Sequence, residues 1–211
     1  MTMAQGRNTV RAEQGVDPRV ERSRQIILRA ALDELGEAGY GAFTIESVAA
    51  RAGVAKSTIY RHWPGKISLI ADAFEAAHEH AVPSVEGLTA RESLQRLLCH
   101  VAEVVADSAF SSCIPALIEG AERDPRLRDF RHRYSALRRQ SLTGLIARGV
   151  ADGEFRAAVD PELAAQALLG PIFYRRLMTS EPLDPHRVGD LIGMVLGPWP
   201  GSRPVDRVAA D

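Results

Sequence analysis

The chain has 211 residues, 45% hydrophobic and 25% charged, with a formal net charge of −1. That composition belongs to a folded globular chain rather than a disordered or fibrous one, and no apolar run approaches the roughly 20 residues that span a bilayer. Two cysteines, Cys99 and Cys113, are too few for a disulfide framework and are expected to be buried thiols in a reducing cytoplasm.

Residues 1–16 are polar and without periodicity, which predicts a flexible arm; they lack the apolar core of a secretory signal. Charge is unevenly spread. Residues 1–66 carry ten Lys/Arg against seven acids, a net +3, and the remainder carries sixteen against twenty, a net −4. A basic end on an acidic body points to one end that meets a polyanion.

Asp17-Pro18 reads as a helix start, Asp at the N-cap and Pro at the first helical position. Ile27, Ala30, Ala31 and Leu35 then fall on one face, and Gly39 is the expected stop. Thr44 is expected to cap a second, two-turn helix, with Phe43 and Val48 as its hydrophobic staple and Gly53 at its end. A third short helix is expected near Lys56 to Trp63, and Pro64-Gly65 breaks the chain before a fourth opens at Lys66. Further helices are expected near 91–107, 110–122, 125–150, 161–180 and 185–197. The last three each begin at an Asp-Pro pair. Gly170-Pro171 inside the eighth predicts a kink, because proline lacks the backbone donor and crowds the carbonyl of Ala167. No strand pattern or internal repeat is visible, so the expected fold is all-α with about nine helices.

Two short helices joined at Gly53 form a helix-turn-helix plan. Val48, Val54 and Ile59 suit its interior, Ala49 its close crossing, and Trp63 its core. Lys56, Ser57, Thr58, Tyr60 and Arg61 remain for the outward face of the second helix. In such a motif that helix enters the major groove while flanking groups hold phosphates.

Here "TIESVAARAGVAKSTIYRHWPGKISLIADAF", preceded by "IILRAALDELGEAGY", resembles the TetR family of bacterial transcriptional repressors. The resemblance is strong over residues 18–75, and "DPELAAQALLGPIFYRRLMTSEPLD" is similar to the penultimate helix of one TetR C-terminal subgroup. It implies a helix-turn-helix domain over 17–66, a helical effector-binding and dimerisation domain over 67–198, and a tail over 199–211. It also implies that Thr44, Tyr60, His62 and Lys66 contact phosphates, while Lys56, Ser57 and Thr58, with Arg61 beside them, approach bases and backbone of a double-stranded operator. Ala55 stands where that family often has a hydroxyl residue, and Leu35 where it often has an aromatic one. Lys66 is a cation at a helix N-terminus, an unfavourable place that a bound anion would make favourable.

The resemblance further implies a homodimer, formed through the helices near 161–180 and 185–197, and an unidentified small-molecule effector. Leu168, Leu169, Ile172, Leu191, Ile192, Val195 and Leu196 are the candidate pairing surface. Candidate pocket residues are Val101, Val105, Phe110, Cys113, Ile114, Leu117, Tyr134, Leu137, Phe173, Tyr174 and Met178, and core packing competes with ligand contact at each. The basic run "RLRDFRHRYSALRR" scatters its arginines around a helix and reads as a solvated face. His78 and His80 share no helix face, and no zinc-ligand spacing occurs, so neither metal nor cofactor is expected. The rivals are an all-α enzyme, for which Cys113 with His100 offers only a pair on separate helices without an orienting acid, and an architectural DNA binder without an effector.

Overall fold

The computed structural model describes residues 18–79, 83–106 and 109–197. The arm 1–16, the start signal at Asp17, His80 and the tail 199–211 lie outside the described residues. Among those described there are nine α-helices and no strands: α1 (Pro18–Ala42), α2 (Ile45–Ala52), α3 (Lys56–His62), α4 (Lys66–Glu79), α5 (Ala90–Ala106), α6 (Ala109–Arg123), α7 (Pro125–Ala151), α8 (Pro161–Tyr174) and α9 (Val188–Leu196).

Short-range chemistry sets most of these boundaries. Asp124, Asp160 and Asp184 each sit in extended backbone, and their carboxylates accept from the amides of Arg126, Leu163 and His186. The proline that follows each one needs no amide partner. The third start opens a 3₁₀ turn, Pro185–Arg187, that leads into α9. Gly39, at φ 75° and ψ 168°, breaks the helical path of α1 at the expected stop, and one more turn follows to Ala42. Helical conformation continues through Pro171. A π-helical turn over Arg175–Thr179 follows, beginning four residues beyond the proline.

The helices bury two apolar clusters. The first gathers α1–α4 (Ile27, Leu35, Phe43, Val48, Ile59, Trp63, Phe74) and takes in Cys113 and Leu117 of α6 and Leu127 and Phe130 of α7. The second joins α5, the later part of α7, α8 and α9 through residues such as Leu98, Ile146, Leu168 and Ile192. Packing therefore continues across residue 66, because α4 and α6 close the first cluster. α1 and α6 cross closely. A Cβ on Gly120 would come within 2.5 Å of Tyr40 Cγ, and one on Gly36 would collide with Ser112. Glycine at these positions permits that approach.

Candidate nucleic-acid interface

Thr44 and Gly53 position the second helix. The Thr44 hydroxyl accepts from the Ser47 amide at 3.0 Å, while Ser47 Oγ accepts from the Thr44 amide at 3.2 Å, a reciprocal capping box. Phe43 and Val48, the expected staple pair, are both buried. Gly53 is left-handed (φ 67°, ψ 32°) and its amide donates back to the carbonyls of Ala49 and Ala50. α3 starts at Ala55, which supplies no side-chain cap. The Thr58 amide donates to the Ala55 carbonyl at 2.9 Å, and the amides of Lys56 and Ser57 before it have no such partner within the helix.

Ion pairs lock this unit to α1 and α4. Arg51 donates to Glu34 at 3.0 Å and holds Glu37 with two nitrogens, and its guanidinium keeps the Glu37 carboxyl below the ordinary range. Asp72 accepts from Arg24 at 2.9 Å and from the indole of buried Trp63 at 3.0 Å. Trp63 is thus a core aromatic with its one donor satisfied.

The buried residue of α3 is Ile59. Lys56, Ser57, Tyr60, Arg61 and His62 are exposed, Thr58 is half-buried, and Tyr60 presents 52% of its surface. Thr44, before the second helix, is exposed as well. Two candidates are engaged in ways that the sequence reading missed. Lys56 pairs with Glu46 at 2.9 Å, which lowers the Glu46 carboxyl. Lys66 Nζ lies 3.8 Å from the centroid of the Tyr40 ring and donates to the Tyr40 carbonyl at 3.4 Å. Ser47 was legible as a hydroxyl three residues after Thr44. Glu46 and Tyr40 carried no local signal.

Away from this face, a cavity of about 610 Å³ opens between α5, α7 and α8. Of the candidate pocket residues, Val101, Val105, Phe110, Tyr134 and Phe173 line it. The other six candidates do not. Cys113 and Leu117 are packed into the first cluster and Ile114 into the second, while Leu137, Tyr174 and Met178 point outward. Apolar type alone does not reveal which side of a helix faces the void. His100, Arg138, Arg139 and Gln166 also line the cavity, so the helix-7 basic run is not wholly a solvated face. Tyr134, Arg138, Leu142 and Leu145 follow helical spacing and share one side.

Burial pushes the Cys113 thiol up to about 11, and Sγ donates to the Leu32 carbonyl at 3.0 Å. A neutral, buried thiol is no nucleophile. No cluster of three His, Cys, Asp or Glu suited to a metal ion occurs among the described residues. No single helix among them is long and apolar enough to cross a membrane.

Four of the seven residues expected to pair chains, Leu168, Ile172, Ile192 and Leu196, are buried in their own chain's core, and Leu169, Leu191 and Val195 are partly so. The apolar residues left outside on these elements are Leu163, Tyr174, Met178 and Met194.

Comparison with known proteins agrees with this geometry. Residues 27–73 match the model of bacterial regulatory proteins of the tetR family, and residues 87–195 match the tetracyclin repressor-like C-terminal domain. The HTH-type transcriptional regulator YdeS of Bacillus subtilis is 33% identical over 178 residues, covering 83% of this chain and 88% of that protein. The DNA-binding transcriptional repressor TetR of Mycobacteroides abscessus is 33% identical, covering 81% and 90%. Among solved structures, a protein of the TetR family of transcriptional regulators from Rhodococcus sp. superposes with a TM-score of 0.69 at 25% identity, over 82% of this chain and 97% of that one. The fatty acid degradation regulator FadR of Bacillus halodurans shares the fold at 21% identity and a TM-score of 0.72, over 89% and 99%. The chain belongs to the TetR family of bacterial transcriptional regulators, and is a regulator with a TetR DNA-binding domain rather than an enzyme.

Proposed function

We propose that the protein is a cytoplasmic repressor that binds a palindromic operator as a homodimer and leaves it when a small molecule fills the cavity between α5, α7 and α8. The observation that carries this reading is one helix-turn-helix per chain with Lys56, Ser57, Tyr60 and Arg61 exposed, joined to a helical body with a cavity of its own. Lys56, Ser57, Thr58 and Arg61 meet bases and neighbouring backbone in this reading, and Thr44, Tyr60, His62 and Lys66 hold phosphates.

Pairing rests on the outer faces of α8 and α9. Leu163, Ala167, Gly170 and Tyr174 recur at helical spacing and are all exposed, and Met194 presents 75% of its surface on the next helix. An apolar stripe of this kind marks an interaction surface. A two-fold dimer sets the recognition helices about 34–36 Å apart, or a multiple of that, to reach successive grooves.

A path for the effector is supported by the aromatic packing. Phe74 of α4 meets Phe110 at 5.1 Å and Tyr134 at 5.8 Å, both edge-on, and those two rings line the cavity. A ligand that moves either ring displaces α4, whose first residue is Lys66. It releases DNA only through its differential affinity for the two conformations. Coupling of about 1–3 kcal/mol, roughly 5–150-fold, is typical.

The experiment is selection of bound fragments from the host genome, followed by operator titration with and without compounds that raise the melting temperature. A palindromic site, a dimeric complex and ligand-weakened binding are expected. A monomeric complex, or tight ligands that leave operator affinity unchanged, would contradict the proposal.

A further inference from the structure

The charges on the cavity wall point to the kind of molecule that fills it. No Asp or Glu is among the lining residues, whereas Arg138 and Arg139 both are. Arg139 is already satisfied, since its Nε donates to Glu162 of α8. Arg138 differs. It has no ion pair among the described residues, its Nε is buried without a hydrogen-bond partner, and its guanidinium carbon stands 5.0 Å over the Tyr134 ring. The Tyr134 hydroxyl interacts with the same guanidinium. The rest of the wall is mostly aliphatic and aromatic.

Arg138 is half-buried, and a guanidinium among apolar side chains with no carboxylate paired to it gains most from an anionic partner. Its planar fork suits a carboxylate better than a single acceptor. A cationic ligand would be repelled by Arg138, and a neutral one would make only an uncharged hydrogen bond to it, about half as strong as a charge-assisted one. The volume lies within the usual range for sites that enclose a small molecule. We infer that the cavity binds an amphipathic monoanion, with its carboxylate at Arg138 and the Tyr134 hydroxyl and its apolar body along α5 and α8. This inference rests on the reading of the cavity as the effector site.

The test uses the full chain and three probes of equal chain length, decanoate, decanol and decylamine, at constant ionic strength. Melting temperature and direct titration are the readouts. Decanoate is expected to bind most tightly and decylamine least. Arg138→Gln should weaken decanoate by roughly 10- to 100-fold, the worth of hydrogen bonds to a charged group, and leave decanol unchanged. Arg138→Lys should recover part of the loss. Val101→Trp, which narrows the void, should weaken binding of all three while leaving the fold intact by circular dichroism. If decanol matched decanoate and Arg138→Gln altered neither, the anionic class would be wrong while the effector cavity stood. If none of the probes bound, or Val101→Trp left the affinity for decanoate unchanged, the cavity would not be their site and both readings would fall.

Discussion

Lys66 and Tyr40 form a single unit, with the ammonium 3.8 Å from the ring centroid and bonded to the tyrosine's own carbonyl. The same tyrosine donates its hydroxyl to Asp124 at 2.7 Å, at the junction of α6 and α7. Burial, with Asp124 second, raises the Tyr40 phenol far above its ordinary range, so it remains a donor. The proposed phosphate contact and the helical body thus share one aromatic ring. A cation–π contact of this type holds a lysine in place without removing its charge.

Lys66→Ala should therefore weaken operator binding similarly for every sequence. Each lost phosphate contact lowers the salt slope by about 0.9, so a dimer should change by nearly 2. Tyr40→Leu keeps the charge but frees the side chain, and should weaken binding with little change in slope. Operator affinity against salt concentration for both variants checks this, and an unchanged slope in Lys66→Ala would make that lysine a structural cation only.

Glu46 holds Lys56 at 2.9 Å, and in the proposed complex it competes with DNA for that lysine. Glu46→Gln should tighten operator binding severalfold and steepen its salt dependence, since an acid near the phosphates is removed and a lysine released. Looser binding would mean that Glu46 orients Lys56 productively.

On the exposed side of α3, Tyr60→Phe removes one hydrogen bond from a neutral hydroxyl to the proposed phosphate and should cost about 1.5–3 kcal/mol per subunit with no change in slope. Changes at Thr58 should instead shift base preference by roughly 1–3 kcal/mol at one position in each half-site. Titration on native and singly altered sites separates the two outcomes.

Asp124 predicts an acid limb in the stability profile. The Tyr40 hydrogen bond, then Arg126, holds its pKa at about 2, below the ordinary value of 3.8. A lowered folded-state pKa means that the unfolded chain binds the proton more tightly. The stabilisation is then complete above pH 4 or so and is lost as pH falls from about 4 towards 2. Asp124→Asn, which can still cap α7, should be less stable at neutral pH and show a shallower loss over that window. Urea midpoints against pH measure it.

The crossing of α1 and α6 gives a stability prediction. Gly120→Ala places a Cβ 2.5 Å from Tyr40 Cγ and 2.8 Å from Leu127 Cδ2. Neither the ring nor the buried leucine can yield freely, so a loss of about 1–3 kcal/mol is expected, as for other overpacked cores. Denaturant unfolding of the variant gives the value directly.

Leu163→Lys combined with Met194→Lys should yield a folded monomer, because both side chains are exposed and neither supports its own core. Sedimentation shows the mass, and operator binding should fall with the loss of the second half-site. A dimer that persists would place the pairing surface elsewhere.

What the sequence by itself determined was local. The starts at Asp124, Asp160 and Asp184, the capping residue Thr44 and the left-handed Gly53 act within one helical turn, so neighbouring residues were enough to place them. The exposed face of α3 was legible for the same reason, since the burial of Ile59 leaves Lys56, Ser57, Tyr60 and Arg61 to solvent. Tertiary structure decided the rest. Glu46 reaches Lys56 and Asp124 reaches Tyr40 across ten and eighty-four positions of chain, separations at which no sequence pattern specifies contact. Tyr174 and Met178 look as apolar as Phe173, yet only Phe173 lines the cavity. Rotation of a helix about its own axis is set by what it packs against, not by its residues taken alone. Arg138 shows the same effect from the polar side: its place on α7 was plain from the sequence, but that it lines the cavity with a buried Nε was decided by packing.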